Sequence, residues 1–143
     1  MPRIFDFGGR GVERSQTVAG LRALRATGAR AAQVTAETAD EAAAAEAAGV
    51  EIVVCRAANV ARVREGSAHA FVTAALGFAD AITADEILRA AFAAITAGAD
   101  AVLTSRGYDA VRALAAWQIP VCRTALKRGL IHSWCTGGAQ GSR

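Results

Sequence analysis

The segment 31–55 constrains the fold of this chain more than any other part of the sequence. It runs from an apolar stretch (31–35) through an alanine-rich stretch with acids near its start (38–48) and Gly49 to a second apolar stretch (51–55). Two strands joined through a helix in this way are parallel neighbours, because a parallel pair needs a long crossover. A sheet of such units buries both faces and offers ligand sites at the carboxyl ends of its strands.

The same alternation continues along the chain. The predicted strands are 31–35, 51–55, 69–76, 101–104 and 119–123, and the predicted helices are 17–27, 38–48, 56–66, 83–97 and 108–117. This order predicts an α/β fold of parallel β/α units, interpreted as a partial TIM barrel with about five strands. An open five-stranded sheet fits the same periodicity.

Local signals support these helices and their repetition. Thr17 and Thr83 are suited to cap helices, and Glu86 stands at the capping-box position for Thr83. Segments 48–54 and 97–103 share one pattern of helix end, glycine, apolar residue, acid and strand. This internal repeat is typical of a repeated β/α architecture.

The chain divides into three predicted parts. Residues 1–16, rich in glycine and arginine and without periodicity, are predicted to be an extended N-terminal arm. Residues 17–123 carry the β/α pattern, and 124–143 are predicted to be an irregular C-terminal tail. A length of 143 residues suffices for one domain with a real core.

Charge and composition argue against several classes of protein. The net charge is +3, and the sixteen basic residues are scattered among acids, so we expect no nucleic-acid partner. The N-terminus lacks the apolar core of a leader peptide, and no apolar run reaches the roughly 18 residues of a membrane helix. We therefore expect a cytoplasmic protein without a membrane partner.

The three cysteines form no Cys-x-x-Cys pair. Cys55 and Cys122 lie in predicted strands, where a buried and unreactive thiol is the ordinary state. Each is followed by an arginine, which offers the alternative of a nucleophile with a lowered pKa.

Several segments resemble a known family. They are Thr-Val-Ala-Gly-Leu-Arg-Ala-Leu (17–24), Gln-Val-Thr-Ala-Glu-Thr-Ala (33–39), Ala-Glu-Ala-Ala-Gly-Val-Glu-Ile-Val-Val (45–54), Ala-Gly-Ala-Asp-Ala-Val (97–102) and Gln-Ile-Pro-Val-Cys (118–122). In this order they resemble the N-terminal half of the ketopantoate hydroxymethyltransferases (3-methyl-2-oxobutanoate hydroxymethyltransferases), which are barrels of the phosphoenolpyruvate mutase and isocitrate lyase superfamily. The likeness spans 17–122, most of the chain.

The resemblance implies hydroxymethyl transfer from methylenetetrahydrofolate to an α-keto acid, a step of pantothenate biosynthesis. In that family Mg²⁺ chelates the keto acid and stabilises its enolate, which suits a hard cation. Mg²⁺ and methylenetetrahydrofolate are therefore expected as cofactors only if the family activity is retained.

The family's catalytic motifs differ here. The family's Gly-Asp-Ser, whose Asp binds the metal, reads Cys55-Arg56-Ala57, and its Ala-Asp after the third strand becomes Ala74-Ala75-Leu76-Gly77. Its Lys-Ile-Glu-Gly-Gly reads Leu-Thr-Ser-Arg-Gly (103–107), and its Gly-His-Leu-Gly-Leu reads Arg-Thr-Ala-Leu-Lys (123–127). The family's general base would lie beyond Arg143. The sequence therefore predicts impaired or lost catalysis, and it names no catalytic residue and no metal ligand.

Polar residues at the strand ends give one candidate site. Arg56, Arg106 and Arg123 each follow or end a predicted strand, and Glu37 follows the first. Arginine grips carboxylate or phosphate in a bidentate manner, so these residues predict a substrate site for a small anion. Solvated arginines, or arginines paired with loop acids such as Glu37 and Asp80, are the alternative. Glu37 is accordingly either a base or cation ligand, or an ion-pair partner.

A partial barrel also leaves strand edges and an apolar interior uncovered. Open strand edges and an uncovered interior are seldom left exposed in parallel sheets. We therefore expect a homo-oligomer or docking on a paralogue. The alternative to an enzyme-like function is a non-catalytic module that binds an anion or assembles on the same fold.

Overall fold

The computed structural model describes residues 1–136, with side chains for most of them. The residues not described are Phe7, Phe78, Asp80, Arg106, Gly107, Gln118, Arg128, Gly129 and 137–143, and only the backbone is described for Tyr108, 122–127 and 130–136.

The order of elements follows the predicted alternation. The helices are α1 (Val18–Thr27), α2 (Ala39–Ala47), α3 (Val60–Gly66), α4 (Ala84–Thr96) and α5 (Tyr108–Ala116), with a 3₁₀ turn at Ala57–Asn59. The strands are β1 (Arg3–Phe5), β2 (Gly11–Glu13), β3 (Gln33–Thr35), β4 (Ile52–Arg56), β5 (Phe71–Ala75), β6 (Ala101–Thr104), β7 (Val121–Lys127) and β8 (Leu130–Thr136). Among the helices of the described residues, none is both long and apolar enough to cross a membrane.

The main sheet is wound in one direction. Its order is β3-β4-β5-β6-β7-β8, and the first five strands run parallel to one another. A doubly wound open sheet reverses its strand order at a switch point, whereas here every crossover leads to the adjacent strand. Right-handed crossovers of this kind place the helices on one face, as in a β/α barrel. The fold is an α/β partial barrel with five parallel strands, as predicted.

Both ends of the chain contain strands that the sequence pattern did not reveal. The arm predicted to be extended forms an antiparallel hairpin, β1–β2, in which the Asp6 carboxylate accepts the Arg10 N–H at 2.8 Å. The tail predicted to be irregular continues β7 to Lys127 and adds β8, which pairs antiparallel with β7. Strands of three residues are too short to show a period, and the β7–β8 pairing depends on a partner strand. The division into three parts stays a prediction.

The core is divided between the two faces of the sheet. On the helix-covered face, Val53, Val72 and Val102 pack in a buried cluster with residues of α2–α5. On the opposite face, Phe71 and Ala101 pack against Val18 and Leu21 of α1. Because side chains alternate along a strand, each residue of β4–β6 is assigned to one of these faces.

The internal repeat includes the starts of two helices as well as the helix–strand joints. Helices α2 and α4 both begin with Thr-Ala-Asp-Glu, and both have a complete capping box, Thr38–Glu41 and Thr83–Glu86. In each box the threonine hydroxyl accepts the glutamate N–H, and the glutamate carboxylate accepts the threonine N–H. The predicted caps at Thr17 and Thr83 are confirmed.

Candidate functional site

Two of the predicted site residues meet at the carboxyl end of the sheet. Glu37 lies two residues beyond β3, and Arg56 is the last residue of the neighbouring strand β4. The Glu37 carboxylate accepts the Arg56 backbone N–H at 3.0 and 3.3 Å and the Asn59 side-chain amide at 2.8 Å. Glu37 thus fixes the turn that leads from β4 into the 3₁₀ segment. These contacts favour the ion-pair role of Glu37 over a base or a cation ligand.

The guanidinium of Arg56 is largely exposed. Its side chain is 81% exposed, and its Nε lies 3.8 Å from Glu37 Oε1, which is too long for a hydrogen bond. Alternation along β4 puts Arg56 on the face that carries Ile52, away from buried Val53 and Cys55. Arg56 therefore presents a charged group at the open end of the sheet.

The described part of the structure does not show the other two predicted arginines, Arg106 and Arg123, beside Glu37 and Arg56. Arg106 and the loop acid Asp80 lie outside the described residues. The backbone of Arg123 pairs with Thr104, three strands from Arg56. Strand spacing makes this separation about 14 Å. The roles predicted for Arg106 and Arg123 stay predictions.

Cys55 is a buried thiol and not an activated nucleophile. It is 1% exposed. Burial, with a further contribution from the Glu37 carboxylate, raises the pKa of Cys55 to about 11, although Arg64 acts in the opposite direction. The predicted buried state is confirmed for Cys55. The alternative of a pKa lowered by the adjacent arginine is wrong, because desolvation is the largest influence on the pKa of this thiol and raises it.

The side chains at this end do not fit a magnesium site of the kind the resemblance implies. By the resemblance, Arg56 stands where the family places a metal-binding carboxylate, and the family's Ala-Asp falls within Ala-Ala-Leu-Gly (74–77), which contains no carboxylate. The Glu37 carboxylate is already occupied by hydrogen-bond donors. Among the described residues, no group of three or more His, Cys, Asp or Glu side chains is arranged to hold a metal ion.

The opposite end of the sheet contains a buried ionic cluster that sequence reasoning missed. The Asp100 carboxylate pairs with Arg14 Nε at 2.9 Å and with Arg64 Nη2. Each guanidinium also donates to backbone carbonyl groups, Arg14 to Ala68 at 2.9 Å and Arg64 to Ala70 at 2.7 Å. Burial lowers the pKa of Arg64, and the Asp100 charge opposes that shift. The cluster holds the segment after the N-terminal hairpin against the sheet.

The two acids of the internal repeat, Glu51 and Asp100, have equivalent roles at this amino-terminal end of the sheet. Asp100 Oδ2 accepts the N–H of Val72 at 2.9 Å, and Glu51 Oε2 accepts the N–H of Ala32 at 2.7 Å. Each acid therefore ties the start of its own strand to the start of the preceding one. The sequence did contain a signal for these contacts, namely the acid that follows the glycine in each helix–strand joint. In β/α barrels this amino-terminal face serves stability, whereas the carboxyl-terminal face carries the active site.

Comparisons with known proteins name no family for this chain. No protein-family model and no curated protein matches it. Among solved structures it is similar to a candidate deoxyribose-phosphate aldolase from Toxoplasma gondii, with 20% identity, a TM-score of 0.49 and coverage of 67% of this chain and 48% of that chain. It is also similar to a rubisco-like protein from Burkholderia fungorum, with 19% identity, a TM-score of 0.47 and coverage of 78% and 35%. The chain spans less than half the length of either protein, and we draw nothing about function from these likenesses.

Proposed function

We propose that this chain is a ketopantoate hydroxymethyltransferase-like protein that binds a small carboxylate, of the α-keto acid class, without the metal-dependent transfer. The proposal combines the sequence resemblance over 17–122 with the side chains at the carboxyl end of the sheet. A cytoplasmic location and a connection with pantothenate biosynthesis are parts of the same proposal.

The exposed guanidinium of Arg56 is the observation that carries this proposal. It stands at the carboxyl end of β4, which has a neighbour on both sides in the sheet, and β/α barrels bind their ligands at such strand ends. Its side chain is 81% exposed. A guanidinium matches the geometry of a carboxylate and forms two parallel charge-assisted hydrogen bonds with it. The same substitution of arginine for the family's metal-binding aspartate supports the loss of the transfer reaction.

Thermal unfolding with 3-methyl-2-oxobutanoate tests this function. At about ten times its Kd, a ligand that binds only the folded state adds about 1.4 kcal/mol, which raises Tm by roughly 3–5 °C for a chain of this size. We expect this increase with and without Mg²⁺. Arg56→Ala should weaken binding by about tenfold or more, because charge-assisted hydrogen bonds contribute about 1.5–3 kcal/mol.

Arg62→Ala is the matched control, since Arg62 is an exposed arginine of α3. It should leave the ligand-induced shift in Tm unchanged. Stabilisation that requires Mg²⁺ would favour the metal-dependent enzyme instead. An equal response to the ligand in wild type and Arg56→Ala would contradict the proposed site.

A second candidate function is self-association through β3. All three residues of β3 are exposed, including Val34 at 39%. The backbone of Ala32 and Ala36 bonds to β4, so by alternation the N–H and C=O groups of Gln33 and Thr35 face the open edge. Two copies of β3 paired antiparallel around Val34 would satisfy these groups.

Light scattering coupled to size-exclusion chromatography tests this candidate. We expect a dimer that Val34→Lys converts to a monomer, because charge on an edge strand opposes pairing. Ile82→Lys is the control, since Ile82 is 69% exposed outside the strands. A monodisperse wild-type monomer would rule the candidate out. A heteromeric complex with a paralogue would show that another chain, and not a second copy, is the partner.

A further inference from the structure

Two hydrogen-bond donors and one guanidinium converge on the carboxylate of Glu37. They are the backbone N–H of Arg56, the guanidinium of Arg56 and the side-chain amide of Asn59, at 3.0, 3.8 and 2.8 Å. These three groups, called here the donor cradle, come from one turn, and the carboxylate reaches them from the end of the neighbouring strand. The cradle is therefore built to receive a carboxylate, and in this structure an internal side chain supplies one.

The internal carboxylate is held unevenly by these donors. The backbone and amide contacts are ordinary hydrogen bonds, but the guanidinium contact at 3.8 Å is an ion pair without a hydrogen bond. An external carboxylate that approached the exposed side of Arg56 would form bidentate bonds of about 2.7–2.9 Å. The Glu37 charge would then lie beside a second anion, and the two would repel each other.

We propose that Glu37 is a built-in competitor for the anion that Arg56 binds, so that the affinity of the site is set by exchange between the internal and the external carboxylate. This inference rests on the proposed function of Arg56 in binding a small carboxylate. It goes beyond it by giving Glu37 an autoinhibitory role, in which its charge lowers the affinity of the site that its hydrogen bonds shape.

Glu37→Gln separates the charge of this side chain from its hydrogen bonds. Glutamine keeps one oxygen to accept the Arg56 N–H and removes the negative charge. An exposed ion pair of this kind changes an equilibrium by about two- to fivefold. We therefore expect Glu37→Gln to bind 3-methyl-2-oxobutanoate about two- to fivefold more tightly than wild type by isothermal titration calorimetry. Glu65→Gln, at an exposed position of α3, is the control and should leave the Kd unchanged.

The outcomes distinguish this inference from the proposed function. Tighter binding in Glu37→Gln that is lost in Glu37→Gln/Arg56→Ala supports both. Binding that depends on Arg56 but is unchanged or weaker in Glu37→Gln keeps the proposed function and overturns the inference. Absence of binding by wild type overturns both, even where Glu37→Gln binds, because the inference describes exchange in the native site. Binding by neither protein overturns both.

Chemical rescue provides a second test if Glu37→Gln folds poorly. Glu37→Ala empties the cradle, so its Tm should be lower than that of wild type. Sodium acetate should then raise the Tm of Glu37→Ala more than that of wild type, relative to sodium chloride at the same ionic strength. The extra increase should vanish in Glu37→Ala/Arg56→Ala. Equal responses of wild type and Glu37→Ala to acetate would show that the cradle does not select a carboxylate, and would overturn the inference.

Discussion

Asp100→Asn is expected to reduce the free energy of unfolding by about 3–5 kcal/mol, the cost of removing one partner from a buried ion pair. Asp100 is the carboxylate between the guanidinium groups of Arg14 and Arg64, and all three side chains are at most 13% exposed. Asparagine has nearly the same shape, so the loss comes from charge: two buried cations would face each other without an anion. Since small domains have only about 5–15 kcal/mol of stability, the variant should be close to unfolding. Urea denaturation followed by circular dichroism measures the change.

Two further variants check the cause of this loss. Arg14→Gln leaves Asp100 paired with Arg64 and no excess charge, so it should cost less than Asp100→Asn. Asp85→Asn, at the exposed start of α4, should cost no more than about 1 kcal/mol. A loss for Asp100→Asn as small as that of Asp85→Asn would show that the cluster is well solvated and does not stabilise the fold.

Gly66→Ala is expected to destabilise the fold by about 3 kcal/mol, the upper part of the usual range for overpacking. Gly66 ends α3 at the point where this helix touches the start of α2. An added Cβ would collide with the carbonyl oxygen of Ala39 and would lie 2.8 Å from its Cα. Backbone cannot rotate away as a side chain can, so the two helices would have to separate. The shift in the urea midpoint at constant m-value measures the effect.

Gly20→Ala is the matched control for this prediction. Gly20 lies in α1, and the nearest atom to an added Cβ is Gln16 Oε1, at the end of a side chain that can move; the next is Thr17 Oγ1 at 3.3 Å, also a side-chain atom. Alanine is a better helix former than glycine by up to about 1 kcal/mol, so the change should be neutral or stabilising. Similar losses at Gly20 and Gly66 would mean that the approach of α2 and α3 does not require glycine.

Much of the fold could be predicted because its signals are local. Strand β6 was predicted at 101–104 and is found at Ala101–Thr104, and the Thr83 cap with Glu86 is present as expected. Strand β8 and the β1–β2 hairpin escaped prediction, because their pairing depends on partners and their short or irregular sequences show no period. The ion pair of Arg14 with Asp100 joins residues 86 positions apart, and no spacing rule reaches that far.

The candidate site was predictable to a similar degree. Glu37 and Arg56 follow neighbouring parallel strands, so their meeting followed from the strand order. The contribution of Asn59 did not, because it depends on how the chain turns after β4. The state of Cys55 was predicted from its apolar strand, and burial is the main cause of its raised pKa.

The matching starts of α2 and α4 have a consequence for how this architecture changes in length. Helix α2 has 9 residues and α4 has 13, although both begin with the same capping box and end at a glycine before an acidic joint. The difference of four residues is about one helical turn. Adding a whole turn lengthens a helix without rotating its apolar side away from the sheet, whereas adding two residues would point that side toward water. Helices of this barrel can therefore grow or shrink in single turns while the strands on either side keep their register.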